Sequence, residues 1–287
     1  MKLEAATEVA AIDLEQSAPC KSPATAALNR DSMAEPVLQL SALGKRFGGV
    51  QAVKDLSFSV DEAEIVGLIG PNGSGKSTSV NLISGTLAPS SGEIRFAGAS
   101  VARLSVSERV PLGLARTFQT TSVFPEFSVR EQVLTACHVR YRSSASGSVF
   151  RTRAACREHN AQRAKVEEIL SFVGLAAVAD EASSAISSAQ QRLLMIATAL
   201  ATEPRLLLLD EPAAGMVAKE RKDLAALIQR IRERGTAVLV IEHHMGLIME
   251  VCARIVVLNF GQKIAEGAPV DIQQNPAVID AYLGAAL

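Results

Sequence analysis

The most informative stretch of this chain is Gly70-Pro71-Asn72-Gly73-Ser74-Gly75-Lys76-Ser77-Thr78, which fits the pattern G-x-x-x-x-G-K-[ST]. Its glycines let the backbone curl tightly enough for N–H groups to face phosphate oxygens. Lys76 supplies a charge for the β- and γ-phosphates, and Ser77 offers a hydroxyl to Mg²⁺. A helix beginning here would add its positive N-terminal dipole. We therefore expect all nine residues to bind the phosphates of a nucleotide.

The residues on either side of this loop provide the context that the motif requires. Residues 64–69 are typical of a short buried strand, and residues 77–83 are typical of a helix. A strand, a glycine loop and a helix in this order form the phosphate-binding unit of α/β proteins. The alternative is a chance glycine-rich turn before a helix, and the complete pattern with these flanks argues against it.

The composition limits the functions that the chain can have. Its 287 residues suffice for one large domain, or for a domain with a small appendage. The 29 basic and 30 acidic residues leave a net charge of -1, and Trp is absent, so nucleic acid is not expected as a partner. The four cysteines lack C-x-x-C spacing, which predicts reduced cytosolic thiols. The apolar runs are too short to span a bilayer, and we expect no secretory signal.

The pattern along the chain predicts an α/β fold. It comprises a P-loop NTPase core with a mostly parallel sheet, an N-terminal antiparallel β subdomain and an inserted helical subdomain. Residues 1–34, rich in Ala, Ser and Glu, are predicted to be a disordered tail, and residues 35–287 to be the ATPase domain. The helical insertion is expected at about residues 120–187. Within it, the Arg- and Ser-rich residues 140–164 form either a loop or an extended helical hairpin.

A second motif for phosphate chemistry is Leu206-Leu207-Leu208-Leu209-Asp210-Glu211, an apolar strand that ends in two carboxylates. Asp210 is predicted to hold Mg²⁺ directly or through water, and Glu211 to polarise the attacking water. Both would lie at the carboxyl end of a strand, where open α/β sheets bind their ligands. The alternative interpretation is a pair of helix N-cap residues on a solvated loop.

These motifs, together with Gln119, Gln190-Gln191-Arg192 and His243, resemble the ATPase subunit of ABC transporters. The resemblance covers about residues 36–285. It implies that Phe47 stacks on adenine, a contact worth about 1–3 kcal/mol, although Phe47 could instead be an ordinary core residue. It also implies that Gln119 reaches the metal and senses the γ-phosphate, and that His243 contacts the γ-phosphate.

The resemblance implies ATP and Mg²⁺ as cofactors, with Glu211, His243 and Gln119 in catalytic roles. His243 follows residues 237–241, which we take as the terminal strand of the core. The implied partners are transmembrane permease subunits, contacted by the helical insertion, a second ATPase subunit and, indirectly, a substrate-binding protein. The implied location is the cytoplasmic face of the inner membrane, as a peripheral subunit.

The branch within this family is also indicated by the sequence. The segment Asn275-Pro276-Ala277-Val278-Ile279-Asp280-Ala281-Tyr282-Leu283-Gly284 looks like the C-terminus of the branched-chain (hydrophobic) amino acid uptake group. The stretches Ala115–Gln119, Glu211–Gly215 and Ile241–Met245 look like the same group. Urea and short-chain amide importers are similar in these segments, so they are the alternative.

Two segments depart from the family pattern. The signature that resembles Leu-Ser-Gly-Gly-Gln reads Ile186-Ser187-Ser188-Ala189-Gln190 here, and Val217 stands where the family generally has Asp or Asn. In the family, residues at the positions of Ser187, Ala189 and Gln190 close over the nucleotide of the opposite subunit. If the backbone of Ala189 needs a positive φ, its Cβ costs about 1–2 kcal/mol. We therefore expect a heterodimer with a sibling subunit that carries an intact signature.

Two other classes of function compete with a transport ATPase. A soluble ABC-type ATPase acting on ribosomes or in DNA repair usually carries two cassettes or long coiled insertions, and this chain shows one cassette and no repeat. A small-molecule P-loop kinase would lack the set formed by Gln119, Gln190-Gln191-Arg192 and His243.

Overall fold

The computed structural model of the protein describes residues 35–117, 124–140 and 152–283. The predicted disordered tail at residues 1–34 and the predicted metal-contacting residue Gln119 lie outside these ranges. The described residues combine ten strands in two sheets with nine α-helices. The strands are β1 Leu38–Phe47, β2 Val50–Val60, β3 Ile65–Ile69, β4 Ser91–Phe96, β5 Ala99–Ser100, β6 Leu114–Arg116, β7 Leu206–Asp210, β8 Ala237–Ile241, β9 Arg254–Asn259 and β10 Gln262–Gly267.

The central sheet has the strand order β10-β9-β3-β8-β7-β6. Its strands pair in parallel from β9 to β6, and only the last strand, β10, is antiparallel to its neighbour. Every residue of β3, β7 and β8 is buried, as expected for continuous apolar strands that are covered on both faces. The predicted α/β class with a mostly parallel sheet is therefore confirmed.

A second, antiparallel sheet with the order β2-β1-β4-β5 lies N-terminal in the sequence. Leu56, Phe58 and Val60 are buried and alternate with exposed or half-buried serines, which confirms the half-buried strand that the pattern predicts. The pairing of β1 with β2 shifts register between Leu40 and Leu43, where Ala42 has a φ of 46°. This bulge bends the sheet ahead of Phe47, the last residue of β1.

Helices flank and follow these strands. They are α1 Lys76–Ser84, α2 Val106–Leu112, α3 Val129–Ala136, α4 Arg153–Val173, α5 Ser188–Leu200, α6 Ala218–Glu233, α7 Met245–Val251, α8 Pro269–Gln274 and α9 Pro276–Leu283. The predicted helical insertion contains α3 and α4, and α5 packs against both. Residues 153–164 of the Arg- and Ser-rich stretch are helical, because they form the first part of α4. Residues 141–151 of that stretch lie outside the described ranges.

The core lies on both faces of the central sheet, and neighbouring residues of one strand belong to different clusters. Ile65 and Ile69 pack into a cluster shared with the helical insertion, whereas Val66 and Leu68 pack into a cluster shared with the antiparallel sheet. Because side chains alternate along a strand, each fully buried strand binds the two layers together. The central sheet is thus the rigid element on which both layers rest.

The position of His243 needs a correction. Its strand, β8, lies between β3 and β7 and is an interior strand of the sheet, not the terminal strand of the core. The predicted hairpin of β9 and β10 exists, but β9 also pairs in parallel with β3 and extends the core sheet beyond β8. Sequence order misled here because β3 inserts between two strands that are close in sequence. His243 consequently follows a central strand. It lies at the carboxyl ends of the parallel strands, where the phosphate loop also begins.

Candidate functional site

The loop from Gly70 to Gly75 connects β3 to α1 and has a backbone that only glycine accommodates at two points. Gly70 has a φ of 152° and Gly75 a φ of 103°. A Cβ at Gly70 would lie 2.2 Å from the carbonyl oxygen of Leu258, and one at Gly75 would lie 2.6 Å from the carbonyl oxygen of Ala52. Neighbouring backbone therefore excludes any side chain, and the loop wraps tightly before the helix begins at Lys76.

The hairpin turn between β9 and β10 supports this loop from outside. The N–H of Gly261 donates to the carbonyl oxygen of Ser74 at 2.9 Å, and the N–H of Lys54 donates to the carbonyl oxygen of Gly261 at 2.8 Å. Ser74 itself is buried. Sequence reasoning missed this support, because a hairpin almost 190 residues downstream gives no local signal. The glycine between two strand patterns was the available hint.

Lys76 folds back over the loop. Its Nζ donates to the carbonyl oxygens of Gly70 at 2.7 Å and of Pro71 at 3.0 Å. Burial lowers the pKa of the Lys76 ammonium, while the charges of Glu211 and Asp210 partly offset this shift. The arrangement places a half-buried cation between the loop and two carboxylates. Of the other loop residues, Thr78 is half-buried and Asn72 and Ser77 are exposed.

The two predicted carboxylates lie at the end of β7, as expected. Asp210 is buried and pairs in register with Ile241 of β8. Glu211 has a φ of 48°, which is costly for a residue with a side chain, and its N–H donates to the carbonyl oxygen of Ile241 at 2.9 Å. Strained backbone of this kind clusters at functional sites. The helix N-cap interpretation fails here, because α6 begins only at Ala218.

The structure brings His243 to Glu211. The Nδ1 of His243 lies 3.9 Å from Oε1 of Glu211 and 3.8 Å from Oε2 of Glu242. Glu242 is fully buried, and its carboxylate accepts from the N–H groups of Ala213, His243 and His244. This carboxylate therefore fixes the backbone of the two segments that follow β7 and β8. Sequence reasoning gave Glu242 no role, although a charged residue directly after an apolar strand is an available signal.

Arg116 is a further residue that sequence reasoning missed. It ends β6, and its Nη2 donates to Oδ2 of Asp210 at 2.7 Å, with both side chains nearly buried.

Phe47, in contrast, is 47% exposed, and Nζ of Lys45 lies 5.2 Å from the centre of its ring. Phe47 is therefore not a core residue, and its ring is accessible for stacking.

The signature residues form the start of helix α5. Ser187 is the N-cap: its Oγ accepts from the N–H of Gln190 at 3.3 Å, and Oε1 of Gln190 accepts from the N–H of Ser187 at 2.9 Å. This is a capping box. Ala189 lies in the first turn of the helix, and its side chain packs against the core of the helical insertion. The condition of a positive φ at Ala189 is not met, because the residue has a helical backbone, and the conditional strain does not arise.

Two other positions complete this side of the molecule. Val217 is the N-cap of α6 and is 62% exposed; its own side chain makes no capping hydrogen bond, but Oε2 of Glu220 accepts from its N–H at 2.9 Å. Arg192, from the second turn of α5, donates from Nη1 to the carbonyl oxygen of Glu211 at 3.3 Å. The signature helix thus contacts the strained residue of its own chain. In the described part of the chain, the phosphate loop, Asp210, Glu211 and His243 all follow the carboxyl ends of three neighbouring parallel strands, β3, β7 and β8.

The fold and this edge of the sheet define a P-loop nucleoside triphosphatase. A model of the family "ABC transporter" matches residues 53–214, and a model of the family "Branched-chain amino acid ATP-binding cassette transporter" matches residues 262–287. The chain therefore belongs to the ATP-binding cassette family of ABC transporters and is an ABC ATPase. No helix among the described residues has both the length and the apolar character needed to cross a membrane.

Comparisons with individual proteins agree with this assignment. The chain is 40% identical over 255 residues to the high-affinity branched-chain amino acid transport ATP-binding protein BraF of Pseudomonas aeruginosa, covering 88% of this chain and 100% of the relative. The ADP conformation of the cassette MJ1267 superimposes with a TM-score of 0.77 at 29% identity, covering 88% of this chain and 100% of that one. A dimeric, ADP- and Pi-bound structure of the cassette MJ0796 gives 0.68 at 26% identity, covering 81% and 98%.

Proposed function

We propose that this chain is the ATP-binding and hydrolysing subunit of an ABC importer for branched-chain or other hydrophobic amino acids. The observation that carries the substrate class is the C-terminal match at residues 262–287, a segment that begins with β10 beside the phosphate loop. The similarity to BraF over the whole length of that protein supports the same substrate class. ATP hydrolysis would provide the free energy for uptake through the membrane partner.

The geometry supports a distinct task for each part of the site. The loop residues Gly70 to Thr78 and the ammonium of Lys76 bind the phosphates, and Phe47 stacks on the adenine base. Glu211 polarises the attacking water. Its carboxylate lies beside His243 at the carboxyl ends of the parallel strands, which supports this role. His243 contacts the γ-phosphate, held by the backbone that Glu242 fixes. Gln119, which lies outside the described residues, is proposed as the sensor of the γ-phosphate.

The residues present fit a bound Mg²⁺. Ser77 offers a hydroxyl at the start of α1, and Asp210 offers a buried carboxylate at the end of β7. Mg²⁺ is commonly bound by one or two carboxylates together with substrate phosphates, so nucleotide phosphates would complete the coordination. Once bound, the ion supplies positive charge against the charge that develops on the phosphates.

We also propose that two ATPase subunits assemble around ATP. The cassette MJ0796 is dimeric in its ADP- and Pi-bound structure, and Ser187 and Ser188 are exposed at the start of α5, where a second subunit could reach them. The exposed Val217 cannot make a side-chain hydrogen bond to a partner. We propose a sibling subunit as this partner. A sibling that carries an intact signature would complete one competent ATP site, and one such site is enough for a heterodimer to hydrolyse ATP.

Mixing experiments test the heterodimer. ATPase activity of the purified chain alone is compared with its activity after addition of the sibling ATPase subunit from the same transporter. We expect the mixture to exceed the sum of the separate activities. Full activity of the chain alone would refute the heterodimer and leave the ATPase assignment intact.

The remaining partners follow from the same proposal. Permease subunits at the cytoplasmic face of the inner membrane would contact the helical insertion, and a substrate-binding protein would act through them. The test is co-purification of the tagged chain with its permease in mild detergent, followed by uptake of radiolabelled leucine in reconstituted vesicles. ATP-dependent leucine uptake is expected. Uptake of urea or amides without leucine would instead indicate the alternative branch.

A further inference from the structure

Arg116 occupies a position that connects three elements of the ATPase core. It is the last residue of β6 and pairs in parallel with Leu208 of β7, two residues before Asp210. The N–H of Thr117 also donates to the carbonyl oxygen of Leu208 at 2.9 Å, which continues the pairing past Arg116. The side chain of Arg116 is 10% exposed, and that of Asp210 is 7% exposed. Their ion pair is therefore almost completely shielded from water.

The guanidinium of Arg116 divides its donors between two structures. Nη2 donates to Oδ2 of Asp210 at 2.7 Å. Nη1 donates to Oδ1 of Asn81 at 2.7 Å and to Oγ of Ser84 at 3.1 Å, both on the last turns of α1. A planar guanidinium with rigid donors fixes the orientation of every acceptor that it binds. The direction of the Asp210 carboxylate is consequently tied to the helix that starts at the phosphate loop.

We propose that Arg116 is the positioning residue for the metal at Asp210. With Oδ2 held by Arg116, the orientation in which the carboxylate meets a cation or its water is fixed. Carboxylate ligands of metals are commonly held by such partners, and removing the partner costs about 10–100-fold in metal affinity. The inference rests on the proposed Mg²⁺ site and adds to it a residue from the strand that leads toward Gln119.

Arg109 provides a matched control. It is also buried and also serves the end of α1, donating to the carbonyl oxygens of Leu82 at 2.8 Å and Ile83 at 2.6 Å. Among its described contacts there is none to Asp210. Loss of either arginine should loosen the same end of the helix, but only loss of Arg116 should release the carboxylate. A purely structural role would therefore make the two variants alike.

The experiment measures how much Mg²⁺ tightens nucleotide binding. Binding of β,γ-imido-ATP is measured by calorimetry with Mg²⁺ and with EDTA, for the full chain and for the variants Arg116→Met and Arg109→Met. The ratio of the two dissociation constants reports the metal site without any turnover. We expect this ratio to fall about tenfold or more in Arg116→Met, with metal-free affinity little changed. In Arg109→Met the ratio should hold, although the Tm falls.

Further arms make the result decisive. Arg116→Lys keeps a buried cation and gives a second reading if Arg116→Met does not fold; a partial fall in the ratio supports the inference. In an Asp210→Asn background, Arg116→Met should lower the ratio no further. An unchanged ratio in both Arg116 variants, or an equal fall in Arg109→Met, would overturn the positioning role. A wild-type ratio near one would instead overturn the proposed Mg²⁺ site, and the inference with it.

Discussion

The two sides of this cassette that a nucleotide would meet differ in how they are built. The phosphate loop is flanked by β3, α1 and the β9–β10 turn, and neighbouring backbone leaves no room for a Cβ at Gly70 or Gly75. The signature side, Ser187 to Gln190, is the start of a helix that packs against the helical insertion, with Ser187 and Ser188 exposed and Ala189 and Gln190 half-buried. One side is specified by close packing within the chain, and the other is a helix start stabilised by a capping box.

This difference explains why sequence changes are tolerated on one side. A residue with a side chain at Gly70 or Gly75 would collide with backbone, so the loop pattern leaves little room for substitution. The helix start needs only a capping side chain at Ser187 and a returning Gln190, and Ala189 satisfies the helix as well as glycine would. The departure from the family signature is thus structurally neutral within this chain. Four predictions test the contrast, in order of decreasing effect.

Glu211→Gln should abolish most hydrolysis while leaving nucleotide binding. The carboxylate that we propose to polarise the attacking water is replaced by an amide of the same shape, and such groups contribute about 10²–10⁴-fold to rate. Steady-state ATPase assays with the assembled transporter measure the loss, and calorimetry measures the retained affinity. Glu233→Gln, at an exposed position on α6, is the matched control and should behave as wild type. Retained activity in Glu211→Gln would assign the water-polarising role elsewhere.

Lys76→Ala should weaken nucleotide binding itself, by about 100-fold. The substitution removes the ammonium and with it the charged hydrogen bonds to the phosphates, each worth about 1.5–3 kcal/mol. Dissociation constants for ADP and β,γ-imido-ATP measure the effect. Lys219→Ala removes an exposed lysine from α6 and should change neither constant. Equal affinities for wild type and Lys76→Ala would place the phosphates outside this loop.

Phe47→Ala should lower ATP affinity by about tenfold, because base–aromatic stacking is worth about 1–3 kcal/mol. Phe47→Leu keeps the apolar bulk but has no ring to stack on the base, so its ATP affinity should fall nearly as far as that of Phe47→Ala. Phe47→Tyr keeps an aromatic ring and should retain the affinity of the wild type. Inorganic triphosphate, which lacks a base, should bind all four proteins equally in a competition assay. A parallel loss for triphosphate would show that Phe47 supports the loop instead of the base.

Ala189→Gly should restore the family residue without restoring any activity. Because Ala189 is helical, glycine relieves no strain and instead lowers the free energy of unfolding by about 1 kcal/mol. Thermal unfolding measures the loss, and Ala226→Gly, at an exposed helical position on α6, should cost a similar amount. A gain in ATPase activity of the chain alone would show that the Cβ of Ala189 obstructs the partner's nucleotide.

The outcome of the sequence-based predictions follows from the range over which each residue acts. The phosphate loop, β3, β7 and the hairpin of β9 and β10 were predictable, since each is specified by adjacent residues. The ion pair of Arg116 with Asp210 spans 94 positions and depends on which strands become neighbours, which no local pattern gives. The interior place of His243's strand was missed for the same reason. The backbone conformation of Ala189 was left conditional, although the spacing of Ser187 and Gln190 is a local signal for a helix start.

The backbone of Leu258 and of Ala52 lies close enough to Gly70 and Gly75 to exclude a Cβ at either position, and this has a thermodynamic consequence. The phosphate loop cannot widen or slide unless β2 and β9 move with it, so its shape is set when the protein folds. Nucleotide binding then requires little further ordering of the backbone, and the conformational entropy lost on binding should be small. The loop is in this sense a preorganised receptor, and its rigidity leaves ATP-dependent motion to the parts of the cassette around it.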